Sequence, residues 1–584
     1  MKTSRKILAR LGACLPLLSI TAATAFGQMP ALPPKPPRET IFFPLAEVHR
    51  GLQGVAYTVF EGVEPEPMGV EILGVLKNAI GPGQDMILAR LHGTKAEYTG
   101  VVAGMSGSPV YIDGRLVGAL SYRIGQFSKE PIAGITPIEA MLEVRDHQQQ
   151  GGSPRAAGEG QPEVKPIETP LVFNGFSQET VERFGDRFRA MGLTPVAGLG
   201  GADPEAKQPE PIVPGSAVSA ILVRGDLSMA GTCTVTYLDA KQLMACGHPI
   251  TQYGSLSLPM TKANVVATLP SPLNAFKIVN TTETVGSFTE DRASAILGRF
   301  DRTARMIPAS VEVLAPGKKP HTYRFEVLDN RQLTPNAMLV SVYQALQGTN
   351  DSAAENSYRM TGELTTQGFA PVRLEGVMAP SDFNPGAVAA ALYINERFSR
   401  VYGNALEQPV VTGLHLKVEA IPERRTAVIE SARLSQTEAR AGDTVEVEAT
   451  VRPYQSKPMV VRIPVKLPSD LSAGQIRILV SDGGTLDRLT QPSGAHPAGL
   501  ADTIAQLNQL HPGDRVFCTL LDHAAQAVLE SGALPGLPIS MANVLEPLKQ
   551  THEMQLTGET VVAAGSAGVD YAVTGTQILM LTIR

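Results

Sequence analysis

The stretch Val101–Pro109, with the sequence VVAGMSGSP, leads directly into two apolar runs, Val110–Ile112 and Arg115–Leu120. Asp113 and Gly114 separate these runs, and Asp-Gly between apolar segments is a strong signal for the two-residue turn of a β-hairpin. The sequence therefore predicts a glycine-rich loop that carries Ser106 and opens onto an antiparallel hairpin.

The glycines of this loop allow the chain to turn tightly, so the backbone N–H groups of Gly104 and Ser106 can point at one position beside the Ser106 hydroxyl. Such a pair of donors is the arrangement of an oxyanion hole. The alternative is an ordinary Gly/Ser turn between two strands, and the hairpin context argues against it. A lipase-type nucleophile elbow fits poorly, because Ser108 stands where that motif needs glycine and a strand follows.

Composition favours a β-rich protein of several domains. The chain has 584 residues, enough for three or four domains, and its 55 glycines and 45 prolines suit many short strands joined by turns. The formal net charge is −6, and no basic stripe with interleaved aromatic residues is present. The sequence therefore gives no reason to expect a nucleic-acid partner.

The N-terminus has the pattern of an export signal. Basic residues precede a short apolar run, Leu11–Ala25, and Ala25-Phe26-Gly27 resembles a small-x-small cleavage site. We therefore expect a mature chain that starts near Gln28 and lies in the periplasm or outside the cell. The alternative is an uncleaved N-terminal membrane anchor. No later stretch is long enough for a transmembrane helix.

Two of the three cysteines that follow the signal flank a predicted hairpin. Cys233 and Cys246 lie on either side of Thr234–Leu238, a turn at Asp239-Ala240, and Lys241–Ala245. A two-residue turn places them opposite one another, so a disulfide can form in an oxidising compartment. Two separate buried thiols fit the same spacing.

The pattern of strands, turns and Pro/Gly-rich segments divides the chain into eight parts. We expect a signal peptide at 1–27, a proline-rich tether at 28–40, a serine-bearing β-barrel at 41–147, a linker with one helix at 148–214, a histidine-bearing β-barrel at 215–345, a mixed connecting region at 346–407, an immunoglobulin-like β-sandwich at 408–485 and a small α+β region at 486–584.

A serine nucleophile needs a base, and three of the ten histidines are candidates. His49 precedes a glycine-rich turn and is interpreted as exposed. His92 lies in a predicted loop before Ser106. His248 follows a strand in the segment Gly247-His248-Pro249, where the rigid backbone fixes the direction of the ring.

Two segments together resemble the SpoIVB-type (sporulation stage IV B) serine peptidases. One is Gly104–Pro109 with the following Asp113–Ala119, and the other is Gly231–Tyr237 with Ala245–His248. The similarity covers about 68–145 and 215–305. It implies a mainly β protein with a chymotrypsin-like double β-barrel, in which Ser106 is the nucleophile, His248 the base, and Gly104 and Ser106 supply the oxyanion hole.

The chain departs from this family in three ways. The histidine half comes first in the family and second here, so the double barrel is predicted to be permuted, with the site formed within one chain or between two. The family's PDZ module is not evident. Its acidic residue before the serine loop has no equivalent here; Asp291 and Asp301 are alternatives, with Asp291 the weak candidate for a third catalytic residue.

The resemblance also implies properties of the substrate site. The pocket is expected between Leu120–Arg123 and Ala133–Ile135 if the barrel is arranged as in the relatives. Chymotrypsin-like enzymes have Asp at the position of Met105, where it pairs with a newly cut N-terminus. Because Met105 cannot form this ion pair, activation by that switch is not expected.

Two functions follow as hypotheses. The first is an exported serine endopeptidase that forms an acyl-enzyme and acts on a narrow range of peptide or protein substrates, or on itself. The second is an inactive envelope-associated binding protein built on a pseudoprotease core. The sequence contains no Walker loop, no Cys-x-x-Cys and no His-Glu-x-x-His, so neither a cofactor nor a metal is expected. The oligomeric state stays open.

Overall fold

The computed structural model is mainly β. It describes residues 32–37, 39–125, 130–146, 164–198, 201, 203, 205–271, 275–348, 355–404, 406–490, 499–529, 532–547 and 554–584. The predicted signal peptide and its cleavage site lie outside the described residues.

The first unit is a closed six-stranded barrel that carries the serine loop. After a short 3-10 helix at Leu45–Glu47, its elements are β1 Gln53–Thr58, β2 Glu66–Gly81, β3 Gln84–His92, α1 Thr94–Thr99, β4 Ser108–Ile112, β5 Arg115–Ile124, β6 Ile132–Pro137 and α2 Ile138–Asp146. The strands pair in the order β1-β2-β3-β6-β5-β4, and β4 pairs with β1 to close the ring. The expected barrel within 41–147 and the Asp113-Gly114 hairpin are confirmed.

The segment between the barrels is more structured than the expected linker. It contains β7 Val164–Pro166, β8 Pro170–Asn174, α3 Gln178–Arg189 and β9 Thr194–Ala197. β7 pairs with β5 of the first barrel, whereas β8 pairs with a strand of the second. The prediction of a linker at 148–214 is therefore corrected, because Pro- and Gly-rich composition does not reveal edge strands.

A second ring of six strands carries His248. Its elements are β10 Ala217–Gly225, β11 Ser228–Leu238, β12 Gln242–Ala245, β13 Gly254–Leu269, β14 Phe276–Arg292 and β15 Ala295–Arg299. They pair in the order β10-β13-β14-β15-β12-β11, and β11 pairs with β10 to close the ring.

The sheet of the second ring continues beyond it. The additional elements are β16 Met306–Leu314, β17 His321–Leu328, α4 Thr334–Gly348, β18 Ser357–Thr366, β19 Val372–Met378, α5 Gly386–Tyr402 and β20 Val411–Ile421. The strands extend the sheet in the order β17-β16-β20-β18-β19, and the two helices pack on it in one apolar core. The ring thus ends at Arg299 rather than at 345, and 346–407 is an integral part of the sheet instead of a connecting region.

The C-terminal part consists of three further sheets, two of which enclose one apolar core. Its first elements are β21 Thr426–Leu434, β22 Glu438–Ala439, β23 Thr444–Pro453, β24 Met459–Lys466, β25 Gly474–Ser481, α6 Gly483–Thr490, α7 Leu500–Gln509 and β26 Arg515–Asp522. The remaining ones are β27 Ala525–Leu529, β28 Gly532–Leu537, α8 Ile539–Leu545, β29 Met554–Thr557, β30 Thr560–Gly568, β31 Ala572–Thr574 and β32 Thr576–Ile583.

The boundaries predicted for this part are corrected. The sheets have the orders β24-β23-β21-β31 and β22-β32-β25-β26-β30, so strands from after 485 complete the unit that was expected to end there. The first expected strand of the sandwich, β20, instead pairs with β16 and β18. Alternation along a strand shows that one face is buried but does not identify the partner strand.

Apolar packing joins the two barrels. Tyr57 and Tyr111 of the first barrel share a buried cluster with Met244 and Leu297 of the second. The proline-rich start of the chain also contacts this region, because the Tyr57 hydroxyl donates to the carbonyl oxygens of Pro33 and Lys35, each at 3.1 Å. The described part of 28–40 therefore contacts the barrel at Pro33 and Lys35.

Candidate active site

Two left-handed glycines shape the serine loop. Gly104 and Gly107 have φ angles of 93° and 94°, a region that favours glycine. The loop is closed by hydrogen bonds from Met105 N to Val102 O and from Ser108 N to Met105 O, at 3.0 and 2.9 Å. The Ser108 hydroxyl also donates to Met105 O at 2.6 Å. Ser106 is thus held at the apex of a tight turn.

The serine loop is docked on the second barrel through its backbone. The carbonyl oxygen of Ser106 accepts from Thr234 N at 2.8 Å, and that of Gly107 accepts from Thr236 Oγ1 at 2.7 Å. A Cβ atom on Gly107 would lie 2.0 Å from Thr234 O and 2.5 Å from Cys246 N. Only glycine permits this approach, so the loop that carries Ser106 directly contacts the segment that leads to His248.

His248 follows β12 at a turn in which Cys246 and Gly247 both have positive φ angles, 67° and 71°. The Gly247 carbonyl oxygen accepts from Thr136 Oγ1 of the first barrel at 2.7 Å. A Cβ on Gly247 would lie 2.0 Å from Ser121 Oγ. These contacts place the histidine turn against β5 and β6, the strands that follow Ser106 in the first barrel.

The backbone determines which nitrogen of the His248 ring carries a proton. Nδ1 lies 2.7 Å from the carbonyl oxygen of Pro249, and because a carbonyl only accepts, Nδ1 must donate. In the neutral ring, Nε2 then has a free lone pair. The side chain of His248 is 2% exposed, and Nε2 has no hydrogen-bond partner among the described residues.

Burial lowers the pKa of His248 below its ordinary value of 6.5, and contacts with the backbone of Pro249 and Ile167 oppose this shift. The neutral ring, which is the form that acts as a base, is therefore favoured at neutral pH.

The Ser106 hydroxyl makes no hydrogen bond with this ring. Ser106 is fully buried, and its Oγ likewise has no hydrogen-bond partner within the described chain. Buried polar atoms are nearly always paired, and Ser106 Oγ and His248 Nε2 are two of several buried side-chain atoms in the described chain that are not. Among the described backbone hydrogen bonds, none starts at the N–H of Gly104 or Ser106, the two expected oxyanion donors.

No hydrogen bond or ion pair joins Asp291 to His248 in the described structure. Its carboxylate accepts from the backbone N–H groups of Ile250, Thr251 and Gln252 at 2.6–3.1 Å and from the Thr251 hydroxyl at 2.6 Å. The candidate third catalytic residue is thus corrected to a residue that holds the turn after Pro249. Burial raises its pKa, and these hydrogen bonds lower it. Asp301, the other acidic candidate, is exposed.

The other histidine candidates lie elsewhere. His92 Nε2 is 3.4 Å from Glu71 Oε2, and its Nδ1 is 3.8 Å from Glu97 Oε1. His49 is exposed, as expected, and its Nδ1 lies 3.1 Å from the carbonyl oxygen of Arg50. Neither makes a contact with the serine loop in the described structure.

A disulfide joins Cys233 and Cys246, with a Cα–Cα distance of 5.2 Å. Of the two arrangements that the spacing allows, the structure has the disulfide. It connects β11 and β12 next to Thr234, whose backbone binds Ser106. Cys518 is a free, buried cysteine.

Lys277 was missed by sequence reasoning. It is buried, its Nζ donates to Thr58 Oγ1 at 2.7 Å, and its backbone N donates to Ala103 O at 3.2 Å. Its Cδ would lie 3.3 Å from a Cβ on Gly104. Burial lowers its pKa to about 7. A single lysine in an alternating strand gives no signal of burial, so only the fold reveals that it supports the serine loop.

The expected substrate pocket is filled by the chain itself. Leu120, Ala133 and Ile135 belong to a buried apolar cluster that also contains Met105 and Ile167. Beside it, an open cavity of about 250 Å³ is lined by residues that include Ala103, Arg123 and Ile167.

No group of histidine, cysteine, aspartate and glutamate side chains suited to a metal ion occurs in the described ranges. The described helices include none that is long and apolar enough to cross a membrane. No known protein family matches the chain, and neither a similar curated protein nor a similar solved structure was found.

Proposed function

We propose that the protein is an exported serine endopeptidase of SpoIVB type, with a narrow range of substrates or with itself as substrate. One observation carries the proposal. The Ser106 hydroxyl and the His248 Nε2 lone pair are both buried and unpaired among the described residues, on two segments that contact each other across the two barrels. The pair of six-stranded rings supports a chymotrypsin-like double barrel in permuted order, and an immunoglobulin-like assignment of the C-terminal sheets belongs to the same proposal.

In this proposal, His248 Nε2 takes the proton of Ser106 as its oxygen attacks a peptide carbonyl carbon. The N–H groups of Gly104 and Ser106 stabilise the oxyanion, and His248 then donates the proton to the leaving amine. Water hydrolyses the acyl-enzyme by the same route. The carbonyl of Pro249 takes the orienting role that a carboxylate has in a triad, because it fixes Nδ1–H and leaves Nε2 as the base.

A fluorophosphonate probe, which labels activated serines, tests the proposal. We expect the mature chain from Gln28 to be labelled, and Ser106→Ala and His248→Ala to abolish labelling. His92→Ala is the matched control and should retain it. Because Ser106 Oγ makes no hydrogen bond to a described residue, Ser106→Ala removes the nucleophile with little structural cost. Labelling that survives in His248→Ala would contradict the assigned base.

The second candidate is an inactive binding protein of the cell envelope. The absence of any contact between His248 and a carboxylate in the described structure favours it, as does the complete burial of Ser106. This function predicts folded protein without labelling under any condition, including variants that open the cleft.

A further inference from the structure

The segment 164–168, which crosses from the first barrel towards the second, adds an antiparallel strand to β5, the second strand after Ser106. Tyr122 pairs with Pro166 and Arg123 with Lys165. The N–H of Ile167 then donates to Ser121 O at 2.7 Å. An extended peptide that adds to an exposed strand edge is a general mode of substrate binding, because the backbone supplies affinity and pockets select side chains.

Ile167 occupies the position of the residue whose side chain such a peptide would insert into the pocket. Its side chain is 2% exposed and belongs to the apolar cluster that includes Met105, Leu120 and Ala133. The pocket therefore takes an aliphatic side chain. Ile167, a residue of the same chain, thus takes the place expected for a substrate residue between Leu120–Arg123 and Ala133–Ile135.

The backbone of Ile167 also reaches the candidate catalytic pair. It lies close enough to the His248 ring to oppose the fall in the pKa that burial causes. Ser121, which accepts its N–H, lies against Gly247, the residue before His248. After Ile167 the chain leaves β5, and from Pro170 it pairs with β11 of the second barrel. The peptide bond after Ile167 thus lies beside the histidine turn.

From this arrangement we infer that the first substrate of the site is this chain itself, cut between Ile167 and Glu168. The inference rests on the proposed function. Ser106 Oγ bonds to the Ile167 carbonyl carbon while the bond to Glu168 N breaks, and the Ser106 proton passes through His248 to that nitrogen. Water then cleaves the ester, which leaves a carboxylate on Ile167 and restores Ser106.

The cut would leave two pieces that denaturation separates. Cys233, Cys246 and Cys518 all lie after Glu168, so no disulfide links the mature chain's two parts. Before the cut the segment covers the site, which accounts for a serine with no exposed surface. Other peptides gain access once the segment has been cut and leaves the strand.

The test is the intact mass and N-terminal sequence of the mature chain from Gln28, analysed without reductant. We expect wild type to give two pieces with a new N-terminus at Glu168, and Ser106→Ala and His248→Ala to remain single chains. Ile167→Asp should also remain uncut, because its carboxylate does not enter the apolar pocket. Ile41→Asp makes the same change at an exposed position and should be cut like wild type.

Probe labelling separates failure of this inference from failure of the proposed function. Ile167→Asp frees the cleft. We therefore expect the probe to label this variant at least about tenfold faster than it labels wild-type chains that have not yet been cut. Wild type that stays intact while Ser106 is labelled in a His248-dependent manner would overturn self-cleavage and leave the peptidase proposal standing. A cut that persists in Ser106→Ala would also overturn it. Neither cutting nor labelling in any variant would overturn both.

Discussion

At the scale of single residues, the proposed base His248 differs from the usual base of a serine peptidase in what orients its ring. A carbonyl oxygen at Nδ1 fixes the tautomer, but it carries no full negative charge to stabilise the protonated ring. Burial acts in the same direction and lowers the pKa. The site therefore favours a neutral, weakly basic imidazole, which in the proposed mechanism accepts a proton only as the transition state forms.

This environment predicts the pH dependence of the reaction. The rate of probe labelling should rise with pH as His248 loses its proton, with a midpoint below the ordinary 6.5, and stay level above it. The free energy of unfolding should fall as pH decreases through about 6.5, because the unfolded chain takes up a proton that the buried ring refuses. A labelling midpoint above about 7 would contradict the effect of burial.

Lys277 gives a second pH effect on stability. Between about pH 7 and about pH 10 the unfolded chain holds a proton on this amine that the folded chain has largely released. The free energy of unfolding should therefore rise with pH over this interval, by up to roughly 4 kcal/mol. Lys277→Met should flatten the rise in chemical denaturation. Lys262→Met, at a lysine paired with Glu283 at 2.9 Å, is the control that should not.

At the scale of elements, the serine loop can contact the histidine turn because Gly107 has no side chain. Gly107→Ala would place a methyl group within 2.5 Å of two backbone atoms, Thr234 O and Cys246 N, at a strained φ angle. We expect a loss of about 2–4 kcal/mol in unfolding free energy and a loss of labelling.

Gly114→Ala is the matched control for this loop. Gly114 also has a positive φ, 74°, but its added methyl meets nothing within 4 Å. It should cost only about 1 kcal/mol and leave labelling intact. Equal effects of the two substitutions would mean that the contact with the second barrel is not what makes Gly107 necessary.

The Cys233–Cys246 bridge is the covalent part of the same support. It closes a loop with a sequence separation of 13, for which restriction of the unfolded chain is worth about 3 kcal/mol. The double variant Cys233→Ala/Cys246→Ala should lose about this much in chemical denaturation. Cys518→Ala is the control, because it changes the remaining cysteine, which forms no bridge, and it should not reproduce the loss.

Local signals in the sequence identified these elements well. The Asp113-Gly114 turn, the one helix expected within 148–214 and the hairpin between the two cysteines all occur as expected, because each depends on residues close in sequence. The orientation of His248 was not predictable in this way. It depends on the Pro249 carbonyl and on the Asp291 carboxylate that holds the next turn, and spacing does not show which oxygen faces a ring.

At the scale of the whole molecule, the errors concern which strands pair. β20 alternates like a sandwich strand but joins the sheet of the second barrel, and the last strands of the chain return to complete the sheets at 426–583. The partner of α7 was likewise not foreseen. Leu500, Ile504 and Leu507 pack into the core of the large sheet rather than into the core of the C-terminal sheets. Long-range partners are set by complementary surfaces that one sequence does not display.

The two barrels hold together through contacts that do not depend on the crossing segment. Gly62 and Val265 exchange two backbone hydrogen bonds, at 2.7 and 2.9 Å, and Ala103 bonds to Ala275 and Lys277. The apolar cluster around Tyr57 adds to this interface. A break after Ile167 should therefore leave the barrels associated. Coexpressed pieces 28–167 and 168–584 should copurify in equal amounts and be labelled at Ser106. Pieces that fold but do not associate would show that chain continuity, rather than this interface, holds the serine loop against the histidine turn.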